Sequence, residues 1–143
     1  MEGKKKKKEE EDEEEEALPR SPRARGRGAF AASVRGIEHR FLLGDARDMK
    51  SVADESVHFV CTSPPYPMMQ MWDSLFSSLD HQIGELLESE DAWSAWEAMH
   101  AQLDRVYAEC FRVLEPGCIA VINMGDATRT VAGDFQLFPN HAR

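Results

Sequence analysis

Hydrophobic and polar positions divide the chain into a charged leader and a patterned remainder. From about Ile37 apolar residues come in short runs closed by loop-forming residues. His39-Arg40-Phe41-Leu42-Leu43 ends at Gly44-Asp45, and its composition predicts a strand. Ser56-Val57-His58-Phe59-Val60-Cys61 predicts a second strand, with so little polar alternation that cover on both faces is expected. It stops at Pro64-Pro65, because proline cannot donate to a sheet ladder. Within 73–88, Leu75, Phe76, Leu79, Ile83, Leu86 and Leu87 recur at helical spacing, weakened by Gly84 and paired serines. A cleaner helix runs from Ala92 to Leu114, with Trp93, Trp96, Met99, Leu103, Val106, Tyr107 and Cys110 on one stripe. Asp91 is its expected N-cap and Pro116-Gly117 its stop. A third strand, Cys118 to Met124, closes at Gly125-Asp126, and no further strand–helix unit is evident after it.

Strands separated by helices predict an α/β fold with a mostly parallel sheet. In such folds ligands bind beyond the carboxyl ends of the strands. Three loops are expected at that edge: Gly44-Asp45-Ala46, Thr62 to Tyr66, and Met124-Gly125-Asp126.

Charge changes this picture at the N-terminus. The chain has 143 residues and a formal net charge of −9. Residues 1–16 are blocks of Lys and Glu with a net of −4, and residues 17–40 carry six Arg for a net of +5. Residues 1–36 therefore read as a disordered leader and flexible basic linker, and 37–143 as the folded part. Residues 41–143 carry a net of −10, which argues against a generic nucleic-acid coat but not against a local basic patch. No apolar run is long enough to cross a membrane, no secretory signal is present, and Cys61, Cys110 and Cys118 form no CxxC pair. A reducing, cytoplasmic setting with no membrane partner is expected. The histidines (39, 58, 81, 100, 141) show no metal-ligand spacing, so no metal is expected, and His58 reads as a core residue. Trp93 and Trp96 read as core. Trp72 either packs or lines a pocket.

Thr62-Ser63-Pro64-Pro65-Tyr66 carries the chemistry. Two prolines after a buried strand fix φ twice and leave the Pro64 carbonyl without a ladder partner. A rigid acceptor beside the Ser63 hydroxyl suits a planar amine, and the Tyr66 ring can stack on its base. The amino lone pair of cytosine is delocalised into the ring, so it is a poor nucleophile. Two acceptors gripping both N–H groups favour a pyramidal nitrogen and aim its lone pair at an electrophile.

Ser63-Pro64-Pro65-Tyr66 matches the (Asp/Asn/Ser)-Pro-Pro-Tyr motif of S-adenosylmethionine-dependent amino methyltransferases. With Gly44-Asp45-Ala46-Arg47-Asp48, Asp54 to Val60, Leu114-Glu115-Pro116-Gly117 and Gly125-Asp126, residues 37–141 resemble the site-specific DNA methyltransferases of restriction–modification systems. Cys118 departs from the family's usual second Gly. Ser in the first position is typical of cytosine-N4 enzymes. The resemblance implies a Rossmann-like fold and transfer of a methyl group from S-adenosylmethionine to a cytosine flipped out of double-stranded DNA. It implies that Ser63 and Pro64 hold the amine, Pro65 shapes the loop, Tyr66 stacks on the base, and Asp45 and Ala46 lie near the cofactor. Asp126 either meets ligand or caps a turn.

The family's Phe-x-Gly-x-Gly loop is missing from this sequence. In the permuted class the catalytic half comes first and the cofactor-binding half last. Residues 37–143 are thus expected to be the N-terminal, catalytic-loop part of a methyltransferase domain. Phe135 to His141 reads as the start of the next segment, and the cofactor site as incomplete, so binding to the chain alone should be weak. Expected partners are DNA, a complementing C-terminal half, or a cognate restriction enzyme. Alternatives are adenine-N6 methylation, methylation of a protein glutamine amide (where Asn is usual at the position of Ser63), and a non-catalytic interaction module.

Overall fold

The structure, a computed structural model, describes residues 29–34 and 36–143. The described residues fall into two units, one up to Leu43 and the other Gly44–Arg143. The charge blocks expected to be disordered fall in 1–28, outside the described residues.

In the first unit, β1 (Ala29–Val34) and β2 (Ile37–Leu42) pair antiparallel, from Val34 opposite Ile37 to Ala29 opposite Leu42. This corrects two expectations. Residues 29–34, assigned to the flexible linker, are a strand: Ala-Phe-Ala-Ala-Ser-Val is apolar enough to pair once Gly36, at φ +77°, supplies a left-handed turn. The run at 39–43, expected as a strand of the mostly parallel sheet, belongs to this antiparallel hairpin, and every β2 side chain is exposed.

In the second unit, β3 (Val57–Thr62) and β4 (Leu114–Ile122) form a parallel pair connected through α1 (Asp73–Leu79), α2 (His81–Glu88) and α3 (Ala92–Val113). A parallel pair needs such a crossover. The α/β class with a parallel sheet is the one the sequence predicts, although the parallel part is two strands wide. The mixed pattern at 73–88 is two helices because Asp80 breaks it, its carboxylate accepting from Gln82 N at 3.1 Å to start α2. Asp91 caps α3 by accepting from Ser94 N at 3.3 Å, a contact worth about 1 kcal/mol.

The third helix ends at Val113, and the chain enters β4 at once. Pro116-Gly117 therefore lies inside the strand rather than at a helix stop. Val57 pairs with Leu114 but Phe59 with Ile119, so Pro116 and Gly117 (φ +86°) sit in a bulge where a missing N–H and a left-handed residue are tolerated.

After Asp126 comes an antiparallel hairpin, β5 (Ala127–Val131) and β6 (Asp134–Phe138), turned by Ala132 and Gly133 with φ of +51° and +84°. Positive φ at both central residues is the type I′ arrangement that matches strand twist. This hairpin was not expected from the sequence; in it Phe138 is fully buried, and Asn140 just beyond is nearly so.

The core joins Met68, Phe76, Ile83, Trp96, Met99, Leu103 and Phe138. On α3 the buried positions Ala92, Ala95, Trp96, Met99, His100 and Leu103 follow the helical period. Trp96 is buried as expected. Trp93 is half exposed, its ring 5.0 Å from Phe138 and edge-on to Trp96 at 5.5 Å.

The loop before β3 is anchored to α3. Arg112 donates to the Met49 and Val52 carbonyls at 3.0 and 3.1 Å and pairs with Glu109 and Asp54. Glu109 also accepts from Met49 N, and the Arg112 guanidinium with that N–H holds its carboxyl at about 2. By contrast, Phe59, Ile119, Val121 and Ile122 on the parallel pair are exposed, and so is Phe111. His58 is exposed as well and faces Glu115 at 2.8 Å, so it is not a core residue.

Candidate active site

Parallel pairing sends the chain off β3 and β4 at the same edge. Thr62 is paired with Ile122, and Asn123 N donates to the Thr62 carbonyl at 2.9 Å. Ser63 to Tyr66 and Met124 to Asp126 are thereby placed side by side, as the α/β pattern predicts for two of the three loops.

Ser63 is exposed, Pro64 buried, and Pro65 and Tyr66 half-buried. Ser63 Oγ and Tyr66 Oη are hydrogen-bonded at 3.0 Å. The Tyr66 and Pro67 carbonyls accept from Met69 N and from the Asn140 amide, whereas no donor among the described residues meets the Pro64 carbonyl. A serine oxygen has two acceptor sites. Either hydroxyl can donate in this bond; when Tyr66 donates, the second acceptor site of Ser63 and the Pro64 carbonyl are left for an incoming N–H pair.

Two features fix the Tyr66 ring and the exit of the loop. A Cβ added at Gly125 would lie 2.9 Å from Tyr66 Cε2, so the ring packs directly on a glycine backbone. Met68, fully buried, has φ +64°, a conformation that costs a non-glycine residue about 1 kcal/mol or more. Its N–H points at Met99 Sδ, 3.3 Å away, and packing holds it there. Gly125→Ala should therefore push the ring off its seat and lengthen the Ser63 contact. Ring-current shifts of the Gly125 and Tyr66 protons check this; unchanged shifts would mean that the ring is not seated on Gly125.

Asp45 and Ala46 are not brought to this loop by any hydrogen bond among the described residues. The Asp45 carboxylate is taken by Arg47, which donates from Nε and Nη2 at 2.7–3.1 Å, with a further bond from Arg47 N. The guanidinium holds the Asp45 carboxyl at about 2. Arg47 Nη1 reaches Gln102 Oε1 at 2.7 Å, tying this loop to α3. No Gly-rich loop follows a strand among the described residues.

Asp126 caps a turn. It accepts from His141 N at 3.3 Å and faces His141 Nδ1 at 2.6 Å, a contact that lowers its pKa. Trp72 packs against the core. Among the described residues no group of His, Cys, Asp or Glu could hold a metal, and no helix is long and apolar enough to cross a membrane.

Asn140 went unrecognised in the sequence. Its Nδ2 donates to the Pro67 and Gly125 carbonyls at 2.9 and 3.0 Å, and its Oδ1 accepts from Trp96 Nε1 at 2.7 Å and faces His100 Nε2 at 3.1 Å. Burial pushes the His100 imidazole below its ordinary value, so at neutral pH it is uncharged. With the amide nitrogen committed to two carbonyls, Oδ1 must accept, so Nε2 carries the His100 proton. In sequence, an Asn after Pro139 reads only as a turn former.

No family model matches the chain. The Type II methyltransferase M.MjaI of Methanocaldococcus jannaschii is 47% identical over 116 residues, covering 73% of this chain and 38% of that protein. M.MthZI of Methanothermobacter thermautotrophicus, also a Type II methyltransferase, is 45% identical over 106 residues, covering 73% of this chain and 30% of that protein. A solved structure from Thermus thermophilus, provisionally assigned as a DNA modification methylase, superposes with a TM-score of 0.50 at 35% identity, covering 70% of this chain and 34% of that one. The chain thus spans about a third of the length of the proteins it matches. Over most of its length it is similar in sequence to one part of Type II methyltransferases and in fold to one part of a DNA modification methylase.

Proposed function

We propose that this chain carries the amine-gripping loop of a DNA methyltransferase that transfers a methyl group from S-adenosylmethionine to N4 of a cytosine flipped out of the duplex. The observation that carries this reading is the loop at the carboxyl end of β3, where Ser63 Oγ and the Pro64 carbonyl are free to accept beside the seated Tyr66 ring. Ser63 at the first motif position favours cytosine over adenine.

The residues act by positioning. Ser63 Oγ and the Pro64 carbonyl each accept one amino N–H. This opposes conjugation of the nitrogen with the ring and turns its lone pair outward. Tyr66, half-buried on Gly125, offers its free face to the base. S-adenosylmethionine, when bound, would supply an electrophilic methyl carbon in exchange for an amino proton; the part of Ser63 and Pro64 is to hold the amino group so that its lone pair faces outward.

Two features support a complementing segment as partner. The parallel pair exposes Phe59, Ile119, Val121 and Ile122, and no further strand pairs with either of its edges among the described residues. The matched relatives are also about three times longer than the matched region. Further strands would cover this surface and bring the Gly-rich cofactor loop.

The test is nucleoside analysis of duplex DNA incubated with labelled S-adenosylmethionine and the chain plus a complementing segment bearing that loop. N4-methylcytosine is expected. N6-methyladenine would overturn the choice of base, and no labelled nucleoside would overturn the reading.

A further inference from the structure

We infer that Asn140 is a positioning residue that locks the Ser63–Tyr66 loop in register with the Gly125-Asp126 loop; as a statement about function, this rests on the reading above. The two loops leave different strands and share no hydrogen-bonded ladder beyond the Asn123–Thr62 bond. Further out, besides the packing of the Tyr66 ring on Gly125, one side chain hydrogen-bonds to both. Asn140 Nδ2 spends one proton on the Pro67 carbonyl, immediately after the motif, and the other on the Gly125 carbonyl, beneath the Tyr66 ring.

The clamp is rigid because its other end is also fixed. Oδ1 takes Trp96 Nε1 and His100 Nε2, both on the buried face of α3, so all four hydrogen-bonding positions of the amide are used. Asn140 is only 4% exposed, which keeps water from competing. It sits one residue after Pro139, in a short helical turn (Asn140–Ala142) capped by Asp126. The clamp thus closes on the loop from both sides. Aliphatic side chains could fill the same space but could not hold two carbonyls at a fixed separation. Shifting Pro67 moves the Pro64 carbonyl, and shifting Gly125 moves Tyr66. The clamp therefore acts on both halves of the amine site without touching a ligand.

Asn140→Asp tests this, because it keeps the shape and the acceptor but removes both donors. In the full chain, hydrogen exchange should rise at least tenfold in residues 66–69 and 124–127, with amides of 93–103 in α3 within twofold. Uniform acceleration, or none, would overturn the clamp. Should the variant not fold, NMR of the unsubstituted chain decides: the Asn140 side-chain protons should exchange slowly, and solvent-rate exchange would overturn the proposal. With the complementing segment, Asn140→Asp should lower kcat at least tenfold and leave KM for DNA within threefold. Full kcat here, with Ser63→Ala inactive, would sink the clamp alone. An active Ser63→Ala would instead sink the reading of the loop.

Discussion

Replacing Ser63 with Ala is expected to lower methyl transfer at least tenfold and leave the fold intact. Ser63 is exposed and its only described partner is the Tyr66 hydroxyl, which water can satisfy once Oγ is gone. Stability should therefore change by no more than about 0.5 kcal/mol. The rate responds differently. Without Oγ the amine keeps only the Pro64 carbonyl, so one N–H is unheld and the lone pair drifts back toward conjugation. A tenfold loss corresponds to about 1.4 kcal/mol, within reach of one positioned hydrogen bond, and preorganised groups in dry sites give about 10²–10³. Single-turnover transfer with the complementing segment measures it, alongside a thermal melt. A rate within twofold of the unsubstituted chain would remove Ser63 from this role.

The largest loss of stability is expected for Phe138→Ala, about 3–5 kcal/mol. Phe138 is fully buried and its ring lies 5.0 Å from that of Trp93, which meets Trp96 edge-on. Truncation opens a cavity and removes an aromatic contact worth about 1 kcal/mol beyond its area. It also loosens the segment that carries Asn140, so the clamp should fail with it. Urea denaturation at neutral pH gives the number. A loss below about 1 kcal/mol would show that residues 134–143 do not belong to the core.

Much of the scaffold was legible in the sequence because it is written in local signals. The β-branched run 57–60, stopped by two prolines, fixes both β3 and its end. The stripe from Ala92 through Leu103, with Asp91 ahead of it, fixes α3 and its cap. Their alternation gives the α/β class, and that class puts the Ser63 and Gly125 loops at one edge. The adjacency of these loops is geometric, a consequence of parallel pairing, and the structure reproduces it. Asp45 and Ala46 are different. Their expected place rests on resemblance, and what the structure adds is that the Asp45 carboxylate pairs with Arg47 two positions away.

Other features depend on partners far along the chain, and no local pattern encodes them. His58 lies in an apolar strand run and so reads as a core residue, yet burial depends on what covers the sheet, and it is exposed beside Glu115. The run at 39–43 has strand composition, but only pairing with 29–34 decides that it is an exposed antiparallel hairpin. Ala132-Gly133 is a weaker turn signal than Asn-Gly, which hid β5 and β6.

The sequence by itself determined the α/β class, the strand that ends in Ser63-Pro64-Pro65-Tyr66, and the chemistry those residue types can perform, because each is a matter of short-range sterics and donor inventory. Only the tertiary structure decided that Tyr66 rests on Gly125 and that a lone asparagine 74 positions beyond the tyrosine holds the two loops together. The physical reason is range. Hydrogen bonds and contacts across such separations exist only after the helices have packed, and they leave no periodic trace in the residues that make them.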